Sequence, residues 1–249
     1  MGTRFELVIA DQGDPVPLRA LGEAALDEIR IAHDQFNRFA PGGLPSRLAM
    51  TPAGTPIPLS RECFALFQDA RLVWQRSAGA FDPALGTGFD ALTLDSHRQT
   101  VTATRFGVML DFGGIAKGHA LDQAAAVLRL GGVENAFLHG GTSSALGIGT
   151  PPDRAGWTVR VARTGGTASA HDDEPSIVLT DRAMSVSAAW VDNPHPTLDP
   201  RTGKPVPVPR RAVVLGPSAR LADAWSTAAL VLGRRPDGLT ADWDVLVTA

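Results

Sequence analysis

The chain has 249 residues, 44% of them hydrophobic and 20% charged, with 23 basic against 26 acidic side chains and a net charge of −3. That balance describes a globular protein with mass for one large or two small domains, and it excludes pervasive disorder and bulk electrostatic binding of nucleic acid or an anionic membrane. A single cysteine, Cys63, excludes an intramolecular disulfide framework and any cysteine-rich zinc or iron–sulfur centre.

Phe5, Leu7 and Ile9 alternate with polar or small residues, which predicts a half-buried strand, and turn chemistry follows from Asp11 to Pro17. From Pro17 to Phe39 the positions Leu26, Ile29, His33 and Phe36 fall on helical spacing, and Pro41-Gly42-Gly43 stops the run. A proline-rich connection, Pro52 to Pro58, leads to Ser60, an N-cap for a second helix with Cys63, Phe67, Ala70 and Trp74 on one face. Cys63 therefore reads as a core residue.

Short runs at Thr100–Met109, Ala136–Leu138, Trp157–Val161, Ile177–Leu179 and Val213–Leu215 read as strands, with helices after Ile115 and Leu221. The irregular interleaving of strands and helices favours an α+β fold over a doubly wound sheet. Thr164–Pro175, rich in Gly, Ala, Ser and acidic residues, reads as a mobile loop or lid, or as a plain surface excursion.

Four stretches carry chemistry. Leu110-Asp111-Phe112-Gly113-Gly114-Ile115-Ala116-Lys117-Gly118 puts two glycines and a cation at a helix N-terminus, where unpaired N–H groups and the helix dipole favour an anion such as phosphate. It is neither the Walker pattern nor the dinucleotide fingerprint. A second glycine-rich turn, His139 to Gly147, follows the strand at Ala136, and the pair together suggests a nucleotide pocket.

In Ala222-Asp223-Ala224-Trp225-Ser226-Thr227-Ala228, Asp223 and Thr227 stand four apart, so on a helix they share a face. A carboxylate and a hydroxyl so placed suit Mg²⁺, which takes oxygen ligands and keeps positions for phosphate and water; the alternative is an exposed Asp beside a helix-internal Thr. Finally, His195 to Pro205 is a proline- and glycine-stiffened loop holding His, Asp, Arg and Lys, with His195 the candidate base.

Taken in order, these residues resemble the family of FAD:protein FMN transferases, the ApbE or thiamine-biosynthesis lipoprotein family. The resemblance runs through Met1-Gly2-Thr3, the aromatic turn and partial SRL of Phe36 to Leu48, and Gly79-Ala80-Phe81-Asp82-Pro83. It continues through Asp111 to Gly118, the paired glycines Gly140-Gly141, Asp199-Pro200-Arg201-Thr202-Gly203-Lys204-Pro205 and Ala222 to Thr227.

The resemblance implies one catalytic domain over residues 1–249, an α+β fold of two intertwined lobes with FAD bound between them. It implies Mg²⁺-dependent transfer of the FMN half of FAD to a Ser or Thr hydroxyl of an acceptor protein, with release of AMP. By position, Met1, Phe39, Ala80, Phe81, Asp82, Asp111 and Lys117 match FAD contacts, while Asp223, Thr227 and the backbone of Gly114 match metal ligands. His195 and Asp223 are the implied catalytic residues, and no nucleic-acid partner is expected.

Four departures stand out. His195 lies one residue earlier than the family's histidine, whose place Pro196 takes, and in extended chain a one-residue slip turns a side chain the other way. The family's TSGxY turn ends here in Ser187-Ala188-Ala189-Trp190, and Thr142 follows the paired glycines where the family often has Asp. Phe39 stands where the family often has Tyr, and its ring still stacks on a flat heterocycle.

Many family members carry an export leader. Here no basic-then-apolar leader and no membrane segment of about 18 apolar residues is seen, so the expectation is a cytoplasmic protein with a soluble acceptor. Two other readings keep the same site: an FAD pyrophosphatase with water as acceptor, or an FAD-binding carrier or sensor without turnover.

Overall fold

In the computed structural model, which describes residues 2–161, 176–191, 193 and 196–248, the alternation of Phe5, Leu7 and Ile9 forms strand β1 (Phe5–Ile9). Helix α1 (Pro15–Phe36) opens on Asp14, whose carboxylate accepts the Val16 N–H at 3.0 Å. It ends short of the predicted Phe39 because Asn37 leaves the helix and its side-chain oxygen takes the Phe39 N–H at 3.0 Å.

A helix not foreseen, α2 (Leu44–Met50), follows, started by Gly43 and Pro45. After strand β2 (Ile57–Pro58), helix α3 (Arg61–Arg76) begins as the sequence implies, with Ser60 Oγ accepting the Cys63 N–H at 3.2 Å. Cys63, Phe67 and Ala70 are buried on its inner face. Strands β3 (Leu92–Asp95) and β4 (Thr100–Ala103) join β2 in an antiparallel sheet of order β2-β4-β3. The expected strand through Met109 stops at Ala103, where the Thr104 N–H turns to the Ala91 carbonyl at 2.8 Å.

Helix α4 (Ala116–Leu130) leads into strands β5 (Ala136–Gly140) and β6 (Ser144–Ile148). Then come β7 (Trp157–Arg160), β8 (Ser176–Leu179), β9 (Arg182–Ala189) and β10 (Arg210–Gly216). Helix α5 (Ala219–Leu232) and strand β11 (Asp244–Thr248) complete the order. The expected loop at Thr164–Pro175 lies outside the described residues.

The larger sheet has the order β1-β5-β6-β9-β10-β11, antiparallel throughout. This is the α+β class that the irregular rhythm predicts. One face of the sheet carries Ala136, Leu138, Leu146, Ala183, Ala212 and Val214 into a core shared with α4 and α5. The opposite face carries Ala145, Met184 and Val213 under the β7–β8 hairpin, where the rings of Phe137 and Trp157 stack at 5.6 Å.

Helices α4 and α5 meet at backbone distance. A Cβ on Gly118 would collide with the Ala219 carbonyl, so only glycine permits this approach. Asp122 of α4 accepts the Ala219 N–H at 2.9 Å, the Arg220 N–H at 3.0 Å and the Ser218 hydroxyl at 2.8 Å, which caps α5. In return, Asp223 of α5 accepts the Gly118 N–H in the first turn of α4 at 3.2 Å. Burial pushes the Asp122 carboxyl up from its ordinary value, against the pull of these donors.

Beside this junction, Arg220 pairs with Asp69 and lies 3.3 Å from His119 Nδ1. A guanidinium only donates, so Nδ1 is an acceptor and the imidazole is neutral. Burial, with the charge of Arg220 added, pushes His119 down to about 3.

Two outcomes follow from this junction. Gly118→Ala forces the helices apart, and we expect a net loss of about 2 kcal/mol in unfolding free energy by urea titration, overpacking outweighing the better helix propensity of alanine. His119 titrates lower in the folded protein than its ordinary 6.5, so on acidification the unfolded chain takes up the proton first. Its contribution is full above pH 6.5 and is lost as the pH falls from there toward about 3. Between pH 6 and 4 the loss approaches about 1.4 kcal/mol per pH unit, and His119→Gln should be shallower by that amount in urea unfolding at pH 6, 5 and 4.

Candidate functional site

The turn from Asp111 to Ile115 delivers the chain into α4. Asp111 shapes it: Oδ1 accepts the Gly113 N–H at 2.8 Å, and Oδ2 pairs with Arg38 at 2.9 Å. The side chain of Lys117 folds back on this turn, its ammonium 3.0 Å from the Gly113 carbonyl. The same ammonium lies 3.2 Å from Asp223 Oδ1 and 3.4 Å from Oδ2.

Asp223 is 2% exposed, which removes the alternative of a solvent-facing Asp. Every part of its carboxylate is engaged, with Lys117 shared between the oxygens, the Gly118 N–H on Oδ2, and the Ser185 hydroxyl on Oδ1 at 3.1 Å. An unpartnered buried carboxylate would cost several kcal/mol, and this partner set offsets that cost.

Thr227 lies one turn further along α5, its Oγ1 3.2 Å from the Asp223 carbonyl. A Cβ on Gly114 would stand 3.0 Å from Thr227 Oγ1 and 3.4 Å from the Phe81 ring. Gly114, Lys117, Asp223 and Thr227 therefore converge.

Of the remaining predicted residues, Phe39 and Asp111 line one concavity of about 420 Å³ together with Arg38, Gly113 and Ala116. Phe39 is 82% exposed, with the Arg38 guanidinium 4.7 Å from its ring centre. Ala80 and Phe81 are buried, and the Phe81 N–H is held by Ser77 Oγ at 3.1 Å. Asp82 uses both oxygens on its own turn, accepting the Ala84 and Gly86 N–H groups at 2.8 and 2.9 Å. That turn abuts the site through the Asp111 N–H, which donates to Pro83 at 2.8 Å. Met1 and His195 lie outside the described residues.

The sequence reading missed Arg38, Ser185 and Ser226. Ser187 Oγ is 2.8 Å from Ser226 Oγ, which is 3.2 Å from Ser185 Oγ, so a row of hydroxyls leads to Asp223. One signal was available: Ala183, Ser185, Ser187 and Ala189 form one face of β9, and serines at alternate positions of a covered strand need partners.

Among the described residues, no group of three or more His, Cys, Asp and Glu is placed to share a metal ion. A cation here would meet one carboxylate, a hydroxyl and backbone oxygen, a hard all-oxygen set that suits Mg²⁺ with several of its positions left to water and phosphate. The Lys117 ammonium, held between the Gly113 carbonyl and Asp223, demonstrates that positive charge is accommodated at this point.

The model of the ApbE family matches residues 1–99 and 85–240. The FAD:protein FMN transferase of Treponema pallidum (strain Nichols) is 29% identical over 227 residues, covering 72% of this chain and 62% of the relative. That of Rhodobacter capsulatus is 30% identical over 237 residues, covering 82% of this chain and 45% of the relative. The chain thus spans less than two thirds of the length of either. Among solved structures, the apbe protein of Thermotoga maritima superposes with a TM-score of 0.80 at 24% identity, covering 93% of this chain and 84% of that one. Flavin Transferase ApbE from Vibrio cholerae gives 0.80 at 20% identity, covering 100% and 94%. At such identities these structures establish the fold alone.

Proposed function

The chain belongs to the ApbE family, and we propose that it is a Mg²⁺-dependent flavin transferase, moving the FMN half of FAD to a Ser or Thr hydroxyl of an acceptor protein and releasing AMP. The observation that carries this reading is the convergence of Asp223 and Thr227 with Gly114 and Lys117, beside the concavity lined by Phe39 and Asp111. It joins a cation-binding oxygen set to a helix N-terminus and an exposed aromatic ring. Relatives named FAD:protein FMN transferase support the same activity.

In this reading Asp223, Thr227 and the backbone of Gly114 would hold the metal, which would supply positive charge against the phosphates of FAD. Lys117 adds a formal charge beside them, and Asp111 keeps the Gly113 turn in place. Phe39 offers its ring to a flat heterocycle, and Ala80 and Phe81, being buried, contribute backbone. Asp82 holds the neighbouring turn.

The oxygen of the acceptor hydroxyl bonds to the phosphorus of FMN as the bond from that phosphorus to the bridging oxygen breaks. AMP leaves with the bridging oxygen. The proton of the acceptor hydroxyl passes to a base, for which His195 is the residue assigned.

Purified protein given FAD, Mg²⁺ and a Ser/Thr-containing acceptor should release AMP and yield a fluorescent, acid-stable acceptor band. Asp223→Ala should reduce AMP release by at least about 10²-fold while FAD binding, followed by flavin fluorescence, is retained. Undiminished turnover of that variant would remove the metal assignment. AMP release without an acceptor would make water the acceptor, and FAD bound but uncleaved under all conditions would make the protein a carrier or sensor.

A further inference from the structure

The row of serines behind Asp223 has a direction. Each hydroxyl has one proton to give, and an ionised carboxylate only accepts. Ser185, 3.1 Å from Asp223 Oδ1, must therefore direct its proton to that oxygen, which leaves it an acceptor toward Ser226. The proton of Ser226 faces inward on either of its acceptors, Ser185 Oγ at 3.2 Å or the Asp223 carbonyl at 2.9 Å. Ser187, 2.8 Å from Ser226, is then the donor at the outer end. On either choice Ser185 donates to the carboxylate, with Ser226 and then Ser187 packed behind it within hydrogen-bond distance.

Packing does not require these hydroxyls. On the same face of β9, the flanking positions are Ala183 and Ala189, both buried without polar atoms in their side chains. The polar positions Ser185 and Ser187 occur only opposite Asp223, Ser226 and Thr227. Ser185 and Ser226 are wholly buried, so neither serves solvent.

We propose that Ser185, oriented by Ser226 and Ser187, is a positioning residue that holds the Asp223 carboxylate open for a divalent cation. The proposal rests on the assignment of Asp223 as a metal ligand. Lys117 already reaches both oxygens at 3.2 and 3.4 Å; without the Ser185 donor Oδ1 retains only Lys117 among these partners, and nothing on that oxygen opposes a tighter, closed pair with the ammonium. That closed pair competes with an incoming cation, so loss of the hydroxyl weakens metal binding and leaves the chemistry of the loaded site intact.

The experiment uses Mn²⁺ as the probe, its binding to the FAD-free protein followed by electron paramagnetic resonance, together with the Mg²⁺ dependence of AMP release. Ser185→Ala should raise the Mn²⁺ dissociation constant about tenfold and the half-saturating Mg²⁺ in parallel, with the rate at saturating Mg²⁺ within about threefold of the parent. Ser226→Ala should shift both constants the same way by a smaller factor, and Ser185→Thr, which keeps the hydroxyl, should restore them. If Ser185→Ala does not fold, Ser226→Ala and Ser185→Thr decide by the same two constants. Alanine variants that melt lower yet bind Mn²⁺ within about twofold of the parent would reduce the row to packing and overturn the proposal. A parent protein that binds no Mn²⁺ would instead remove the metal assignment and the role of Ser185 with it.

Discussion

Helices α4 and α5 terminate one another: Asp122 on the first caps the start of the second, while Asp223 on the second takes an N–H from the first turn of the first. Both bonds are possible only because Gly118 lets the two backbones touch. The exchange brings two carboxylates into the interior and gives them opposite situations. Asp122 meets three donors, all of them at the start of α5, so it is a structural cap. Asp223 meets one backbone N–H, one hydroxyl and a lysine, a flexible cation that can yield its place.

This junction sits on a sheet covered on both faces. Helices occupy one side and the β7–β8 hairpin the other, so β9, which carries Ser185 and Ser187, is held from both directions. The ring of Phe39 lies in the opposite condition, exposed on a turn between α1 and α2 with Arg38 against it. The candidate site therefore joins a rigid floor that fixes charge to an adjustable rim that offers an aromatic surface. Such a division suits a ligand whose phosphates need strict placement and whose ring tolerates some latitude.

Where local chemistry dominates, the sequence was legible. Ser60 announced α3, the paired glycines and Lys117 around Ile115 announced the start of α4, and the Asp223–Thr227 spacing announced a shared helix face. Helix α2 was hidden because it is short and begins with a glycine and a proline, residues that read as turn. Strand β11 was hidden because its residues acquire a partner only across the sheet, at β10. The burial of Asp223 was illegible for a related reason. The ten buried residues of α5 leave no polar face, and what accommodates a carboxylate there is a lysine 106 positions away and a serine 38 positions away. Spacing along one helix cannot reveal partners supplied by another helix and a strand.

Cys63, the sole cysteine, is wholly enclosed in the inner stripe of α3, and burial pushes its thiol up to about 11. At pH 8 only about one molecule in a thousand then carries the thiolate, and that one is walled off from solvent. The folded protein is in effect cysteine-free toward alkylating reagents. A cysteine engineered on an exposed position such as Met50 would take up a maleimide fluorophore alone, with no need to remove the native residue and disturb the packing around Phe67. Conversely, slow labelling of Cys63 itself would count the openings of this core.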